Sequence, residues 1–219
     1  MYDPLAMQVL SINVAQPQAI AHGNSLTTTG IYKRPVRGPV MIDRDGLAGD
    51  TIVDTVNHGG PDQAVYLYGR DDYDWWEEKL QRPLANGVFG ENITVQWMTC
   101  ERFAIGDRLQ IGATVLEVSC PRIPCHKLST VMADAQFAKT FRRAARPGIY
   151  CRVVTPGRIA VDDPLVHEPY TGDRITIRES FAVFSDKSSV DRATIERFLA
   201  APIDARARGW LTAALAKTQ

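Results

Sequence analysis

The feature that most restricts how this chain can fold is a series of short alternating stretches separated by turn residues. Apolar and polar residues alternate over 10–14, as in a strand with one buried face. Similar patterns predict further strands at 64–68, 109–118 (a hairpin), 149–153 and 175–177. Many short strands between Gly, Pro and Asp turns favour a barrel or a sandwich, so the chain is predicted to be mostly β.

Two stretches within the β region have helical patterns instead. Asp71 or Asp72 is predicted to cap a helix that reaches Leu80. A second helix is predicted over 137–144, ended by the Pro-Gly pair at 147–148. Helices are therefore expected to be few in this part of the chain.

The pattern changes after about Glu179, where helical periodicity replaces alternation. The stretch 188–191 resembles a capping box, Pro202 ends the helix that follows, and 210–215 has the apolar face of another. The predicted division is a β domain over 1–178 and a small helical appendage over 179–219.

The charge balance argues against one class of partner. The chain has 25 Lys and Arg against 25 Asp and Glu, which gives a formal net charge of zero. Proteins that bind duplex nucleic acid usually carry a basic excess that releases counterions. No duplex nucleic acid is therefore expected as a partner, and the sequence does not indicate an oligomeric state.

The sequence also indicates the compartment. The N-terminus lacks a basic leader with an apolar core, and no stretch approaches the roughly 20 apolar residues of a membrane helix, so no membrane association is expected. The four cysteines form no Cys-x-x-Cys pair and are too few for a disulfide framework, so a structural zinc site is not expected either. Reduced thiols in a cytoplasmic protein are the simplest interpretation.

The first cluster that could carry chemistry is His58-Gly59-Gly60, followed by Pro61-Asp62. Adjacent glycines allow a tight loop whose backbone N–H groups can cradle a phosphate or another anion, with His58 as a further donor. The alternative is an ordinary turn that leads into the strand at 64–68.

The second cluster is Glu91-Asn92, which precedes a short strand. An amide side chain can bond both the donor and the acceptor edge of a heterocycle. A simple β-turn with a satisfied Asn is the alternative interpretation.

The third cluster surrounds Cys125, which follows two prolines that restrict the path of the chain. Arg122, His126 and Lys127 are positive or titratable neighbours, and positive neighbours lower the pKa of a thiol and favour the thiolate. A thiolate is the form that attacks electrophiles or binds soft metals. The alternative is an inert buried cysteine, which suits Cys151 better because that residue lies within an alternating strand.

Taken in order, these clusters resemble the MOSC domain, most closely its stand-alone bacterial branch linked to resistance to N-hydroxylated purine bases. The matching stretches are 49–50, 58–65, 89–92, 105–107, 121–127 and 147–148. The resemblance covers about 7–178, and the helical tail also suits that branch. Each motif is weak alone, but six in order around a Pro-Arg-Ile-Pro-Cys sequence are specific.

The resemblance implies a barrel-like β fold that binds the molybdenum cofactor, with Cys125 as the ligand to molybdenum. It also implies reduction of N-hydroxylated compounds, such as hydroxylaminopurines, to amines. Because the sequence has neither an iron–sulfur cysteine cluster nor a dinucleotide fingerprint, a separate redox protein is expected to donate the electrons.

The resemblance further suggests roles for individual residues. Cys125, His126 and His58 are the candidate catalytic residues, with the two histidines as proton donors. The candidate cofactor contacts are Asn92 and Glu91 for the pterin and His58, Gly59, Gly60, Arg122 and Lys127 for its phosphate or edge. A cofactor held by one thiolate and hydrogen bonds is expected to be lost easily on purification.

Three other roles remain open for the same residues. The chain could carry or deliver the cofactor without catalysis, or Cys125 could hold a persulfide for sulfur transfer. A structural or partner-binding module with a vestigial site is the third alternative.

Overall fold

The computed structural model describes residues 6–22, 25–54, 58–186 and 190–217. Thirteen strands are seen in these ranges: β1 (Gln8–Val14), β2 (Gln18–His22), β3 (Ser25–Thr29), β4 (Arg34–Pro35), β5 (Val40–Asp43), β6 (Gly46–Leu47), β7 (Val65–Gly69), β8 (Ile93–Gln96), β9 (Arg108–Ile111), β10 (Thr114–Pro121), β11 (Ile149–Thr155), β12 (Gly157–Ile159) and β13 (Leu165–Glu168). The same ranges contain six α-helices: α1 (Arg70–Leu80), α2 (His126–Val131), α3 (Phe137–Ala144), α4 (Ile177–Ser185), α5 (Arg192–Ala200) and α6 (Ala205–Lys217). Two short 3₁₀ helices cover Pro61–Gln63 and Cys100–Arg102.

One large sheet organises the fold. Its eight strands follow the order β13-β9-β10-β11-β7-β8-β1-β4, and all neighbours are antiparallel except β7 and β8. Smaller sheets contain β12, β5 and β6, and β2 with β3. The mostly β prediction is confirmed as a sheet-dominated fold with helices.

The predicted closed barrel is not confirmed, because the strand order of the described residues is open at β13 and β4. Backbone hydrogen bonds nevertheless join β1 to the segment beside β13. Val9 N–H donates to Asp163 O at 2.9 Å, and Leu165 N–H donates to Met7 O at 2.8 Å. The sheet therefore curls until these two parts meet.

Four of the five predicted strand regions are confirmed, as β1, β7, the β9–β10 hairpin and β11. Their inward side chains make one apolar cluster, in which Leu116, Val118 and Ile149 are fully buried. Each such side chain contributes about 1.5–3 kcal/mol when it leaves water.

The strand predicted at 175–177 is wrong, because Ile177 begins α4. Thr176 accepts a hydrogen bond from the backbone N–H of Glu179 at 3.1 Å and caps the helix. Two alternating isoleucines are too short a pattern to predict a strand where a side-chain cap starts a helix.

The helix predicted to reach Leu80 is confirmed as α1, but its predicted Asp cap is wrong. Gly69 is the N-cap, and both Asp71 and Asp72 lie in the first turn. Asp72 is buried and accepts hydrogen bonds from the backbone N–H of Cys100 at 3.0 Å and from Arg146 at 2.5 Å. Tertiary partners therefore occupy the carboxylate that the sequence suggested as a cap. The helix predicted over 137–144 is confirmed as α3.

The C-terminal helices α4, α5 and α6 pack on the sheet rather than on one another alone. They and the turn before α6 bury Ile177, Ile195, Phe198, Ile203 and Leu211 in the same apolar cluster as the strands. The helix ended by Pro202 and the apolar face around 210–215 are confirmed as α5 and α6.

The predicted capping box falls partly on Ser188 and Ser189, which lie outside the described residues. Asp191 is the N-cap of α5, and its side chain accepts a hydrogen bond from the backbone N–H of Thr194 at 2.7 Å. In the described part of the chain, no helix combines the length and apolarity needed to cross a membrane.

Candidate functional site

Cys125 stands where the longest strand gives way to a helix. β10 ends at Pro121, Pro124 follows in the connecting segment, and Cys125, with an extended backbone, is the N-cap residue of α2. Its side chain is half-buried, whereas Cys100, Cys120 and Cys151 are buried, and all four thiols are unpaired. Cys125 is therefore the most exposed of the four thiols.

Two adjoining clefts meet at Cys125. The first cleft has a volume of about 610 Å³, and the second has a volume of about 1260 Å³, each including its open mouth. Their shared lining is Asp54, His58, Gln63, Cys125, Lys127 and Tyr150. A group bound at the Cys125 thiol is therefore accessible from two sides.

The surroundings of Cys125 favour the thiolate. Burial by itself raises the pKa of the Cys125 thiol, but the hydrogen bond with His58 and the charge of Arg122 outweigh burial and lower the pKa to about 7. Burial raises the pKa of the Cys120 and Cys151 thiols instead. A thiol with this pKa is substantially ionised near neutral pH, and the thiolate is the form that attacks electrophiles or binds soft metals.

Arg122 is a buried cation in the first cleft, with only 4% of its surface exposed. Its guanidinium lies 5.4 Å from the ring centroid of Tyr66 and is hydrogen-bonded to Tyr150. Its Nη1 has no hydrogen-bond partner among the described residues. A buried donor without a partner costs about 1–3 kcal/mol, so this atom is placed to bind an acceptor from a ligand.

The loop that carries His58 is held by contacts distant in sequence. Gly59 and Gly60 adopt φ values of 75° and 81°, which side chains disfavour. A Cβ on Gly59 would lie 2.8 Å from Cγ2 of Ile52, so this glycine is sterically required. Asp62 then fixes the loop by accepting hydrogen bonds from Arg152 Nε at 2.8 Å and from the backbone N–H of Ala205 at 2.7 Å.

His58 and Gly59 line the first cleft, whereas Gly60 lines neither cleft. Gly60 serves as the N-cap residue of the 3₁₀ helix Pro61–Gln63. Of the three residues predicted to bind the cofactor phosphate or edge in this loop, His58 and Gly59 therefore lie at the site and Gly60 does not.

Asn92 lines the first cleft, but its side chain already bonds to the protein. Its Oδ1 accepts from the backbone N–H of Tyr66 at 3.1 Å, and its Nδ2 donates to Asp50 at 2.8 Å. Asp50 also forms a buried ion pair with Lys33. Asn92 thus helps to shape the wall, with at most a spare lone pair for a heterocycle.

The structure does not bring Glu91 to the wall of either cleft. Its carboxylate is fully buried, and Oε1 accepts from Tyr73 Oη at 2.6 Å, Gly87 N at 2.6 Å and Thr94 Oγ1 at 2.8 Å. The predicted pterin contact is replaced by a supporting role behind Asn92, because these donors hold the carboxylate inward.

Lys127 and His126 take different positions on α2. Lys127 lines both clefts, and its Nζ lies 3.8 Å from Asp54 Oδ2. His126 lines only the second cleft. Cys125, His58, Arg122 and Lys127 are therefore brought together as predicted, while His126 faces the neighbouring space.

Several lining residues were missed by the sequence analysis. Lys33 belongs to no motif, and Gln63, Tyr66 and Tyr150 were treated as parts of a loop or of strands. Gln63 offered a signal, since it lies in the matched stretch 58–65, and Asp50, in the matched stretch 49–50, pairs with Lys33.

Within the described residues, no three His, Cys, Asp or Glu side chains cluster so that they could hold a metal ion by themselves. Of the residues that line both clefts, Cys125 offers the thiolate that could bind a metal whose other ligands come from a bound group. A soft thiolate suits a metal that is otherwise bound by sulfur.

Known proteins share both the sequence and the fold. The MOSC domain profile matches residues 54–166. YflK of Bacillus subtilis is 41% identical over 152 residues, which is 69% of each chain. YiiM of Escherichia coli is 30% identical over 158 residues, covering 71% of this chain and 70% of YiiM.

The crystal structure of YiiM from Geobacillus stearothermophilus superposes with a TM-score of 0.79 at 28% identity, covering 95% of this chain and 99% of that one. A protein from Gibberella moniliformis named reductase is 37% identical over 149 residues, which span 65% of this chain but 26% of its own. The profile match and the identity to two bacterial relatives agree. This chain belongs to the MOSC domain family.

Proposed function

We propose that this chain binds the molybdenum cofactor in the first cleft and reduces N-hydroxylated compounds, such as hydroxylaminopurines, to amines. The observation that carries the proposal is the position of Cys125 at the junction of two clefts, with a pKa lowered to about 7. A thiolate there can hold a metal from one cleft while the other stays open.

The first cleft fits the chemistry of such a cofactor. The cofactor combines a polar pterin with a phosphate, so it needs cations and hydrogen-bonding groups around a metal ligand. The buried Arg122 supplies a guanidinium Nη1 without a partner among the described residues, and Lys127 supplies an ammonium group. Tyr66 and Tyr150, with ring centroids 4.8 Å apart and planes tilted by 32°, provide an aromatic wall.

The reaction balances as one N-hydroxylated amine, two electrons and two protons giving the amine and water. The bound cofactor would supply the two-electron redox chemistry. Cys125 would hold the metal through its thiolate, and Arg122 and Lys127 would bind the anionic part of the cofactor. His58, hydrogen-bonded to Cys125, and His126 on the second cleft would hold the protons that the amine and water require.

The electrons would come from a separate redox protein, because the sequence carries neither a dinucleotide fingerprint nor an iron–sulfur cysteine cluster. The fungal relative named reductase supports oxidoreductase chemistry for this type of domain. Four unpaired cysteines agree with a reducing, cytoplasmic location, which is part of the proposal.

The test starts with metal content. We would express wild type and Cys125→Ala in a host that makes the cofactor and measure molybdenum and pterin per chain. Near-stoichiometric molybdenum in wild type that falls in Cys125→Ala, together with reduction of 6-hydroxylaminopurine by a reduced viologen, is the expected result. Absence of molybdenum from both proteins after reconstitution with cofactor would overturn the proposal.

Sulfur transfer is a second candidate, favoured by the same lowered pKa of Cys125, because a thiolate is also what attacks a persulfide donor. Mass spectrometry of protein treated with a persulfide donor separates the two. A Cys125 persulfide in a protein that binds no molybdenum would favour sulfur transfer. Molybdenum binding without reduction of any N-hydroxylated base would indicate a cofactor carrier.

A further inference from the structure

The second cleft has a composition unlike that of the first. One wall comes from the end of β10 and the prolines before Cys125, and the other from the C-terminal helices. The helical wall consists of Phe184, Asp204, Arg206, Ala207 and Trp210. The second cleft has a volume of about 1260 Å³, mouth included, which exceeds that of the first cleft. The two clefts meet at Cys125.

Two residues that line this cleft, Asp204 and Gln63, each have an acceptor atom without a donor from the described residues. Asp204 caps α6 through Oδ1, which accepts the backbone N–H groups of Arg206 and Ala207 at 3.1 Å each. No hydrogen bond to its Oδ2 is formed by the part of the chain that the structure describes. Oε1 of Gln63 is buried and lacks a hydrogen-bond partner within the same described ranges.

An aromatic surface lies on the same wall. The rings of Phe184 and Trp210 meet edge to face, with centroids 6.3 Å apart and planes at 84°. Both side chains are only partly buried, so part of each ring faces the cleft. Stacking of a base on an aromatic side chain is worth about 1–3 kcal/mol and does not require a charge.

We propose that the second cleft is the substrate-binding site for a flat heteroaromatic amine, stacked on Trp210 and donating N–H groups to Asp204 and Gln63. The choice of ligand rests on the proposed function. An N-hydroxylated amine on a base carries N–H and O–H donors, which match the two acceptors. The substrate would then reach Cys125 from the second cleft and the cofactor from the first.

The charges of the two clefts support this division. The first cleft is lined by three cations (Lys33, Arg122 and Lys127) against the single carboxylate of Asp54, so it attracts an anion. In the second cleft, Lys127 and Arg206 are balanced by Asp54 and Asp204, so an anion gains no such advantage there. The phosphate-bearing cofactor and the neutral base therefore have separate positions, with Cys125 between them.

The test is calorimetric binding of adenine, which represents the amine product, to the full-length protein without a reductant. Asp204→Asn is informative because Asn caps a helix as well as Asp, yet its amide places a donor where the ligand donor would arrive. We expect Asp204→Asn and Trp210→Leu each to weaken adenine binding by about tenfold, as the loss of one hydrogen bond or one stack would. Trp210→Phe, which retains a ring, should stay within about threefold of wild type.

Asp191→Asn is the matched control, because Asp191 caps α5 in the same way and lines neither cleft. It should bind adenine like wild type. Unchanged affinity in both Asp204→Asn and Trp210→Leu, or absence of adenine binding by wild type at millimolar concentration, would overturn the assignment of the second cleft. Circular dichroism confirms that each variant is folded before titration.

The outcome separates this inference from the proposed function. If adenine binds through Asp204 and Trp210 but 6-hydroxylaminopurine is not reduced, the binding site stands and the reductase proposal falls. If reduction occurs while both variants bind adenine like wild type, the reductase proposal stands and the site assignment falls.

Discussion

Nη2 of Arg206 donates a 3.1 Å hydrogen bond to the backbone carbonyl of Gly59, joining α6 to the loop that carries His58. The two residues are 147 positions apart. The next residue towards the N-terminus of α6, Ala205, donates its N–H to Asp62 in the same loop. The C-terminal helix therefore fixes the loop that places His58 against Cys125.

Arg206→Gln should loosen this loop and weaken the contact between His58 and Cys125. Because that contact lowers the pKa of Cys125, the thiolate fraction at pH 7 should fall, and iodoacetamide should alkylate Cys125 about three- to tenfold more slowly. Arg208→Gln is the matched control, since Arg208 also donates to backbone carbonyls, those of Leu199 and Ala201, but lines neither cleft. Equal alkylation rates for the two variants would show that Arg206 does not position the loop.

The pH dependence of the alkylation rate of Cys125 should give the pKa of its thiol directly. In wild type the rate should rise with pH through an inflection near 7, because the thiolate is the reacting form. His58→Gln removes the main group that lowers this pKa, so the inflection should move upward by about one unit. If the inflection stayed near 7 in His58→Gln, Arg122 rather than His58 would be the main cause of the lowered pKa of Cys125. Cys125→Ala identifies the background from the three buried thiols.

Glu91 should make stability depend on pH in an unusual direction. Burial raises the pKa of this carboxyl above its ordinary value, so the folded state binds the proton more tightly than the unfolded state does. The contribution of Glu91 is therefore most favourable below the ordinary Glu pKa and is lost as pH rises towards the raised value. Glu91→Gln keeps an acceptor for the three donors and removes the charge.

The difference in Tm between Glu91→Gln and wild type should consequently shift in favour of the variant by a few degrees from pH 4.5 to pH 8. Thermal unfolding at several pH values measures this shift. Glu78→Gln, at an exposed position on α1, provides the baseline for removing one carboxylate. A constant difference across the pH range would contradict the raised pKa.

Removal of the Asp107 carboxylate, next to β9, should lower the free energy of unfolding strongly. It is fully buried and accepts from the backbone N–H groups of Ala104 at 2.9 Å and Tyr170 at 2.8 Å, and it also pairs with Arg174. Asp107→Ala should lower the free energy of unfolding by about 3 kcal/mol, because it leaves these donors without an acceptor. Urea denaturation measures the loss. Asp173→Ala, which removes an exposed partner of Arg197, should cost less than about 1 kcal/mol.

Local pattern was sufficient for much of the fold. Alternation identified β1, β7, the β9–β10 hairpin and β11, because one buried face forces a two-residue period on a strand. It failed at 175–177, where the side-chain cap of Thr176 starts a helix within the same short pattern. The local pattern also did not reveal that Asp72 accepts a hydrogen bond from Arg146, since that partner lies 74 positions away.

The candidate site, like the fold, was predictable from the sequence only in part. By itself, the sequence identified Cys125 as the candidate reactive thiol, since the prolines and cations around it are its neighbours along the chain. It also determined the family, through motifs in a fixed order. Only the tertiary structure placed His58 on Cys125, turned Glu91 inward, and brought Asp204 and Trp210 to a second cleft. Burial and contacts between distant residues decide those features, and both depend on how the whole chain packs rather than on any local sequence.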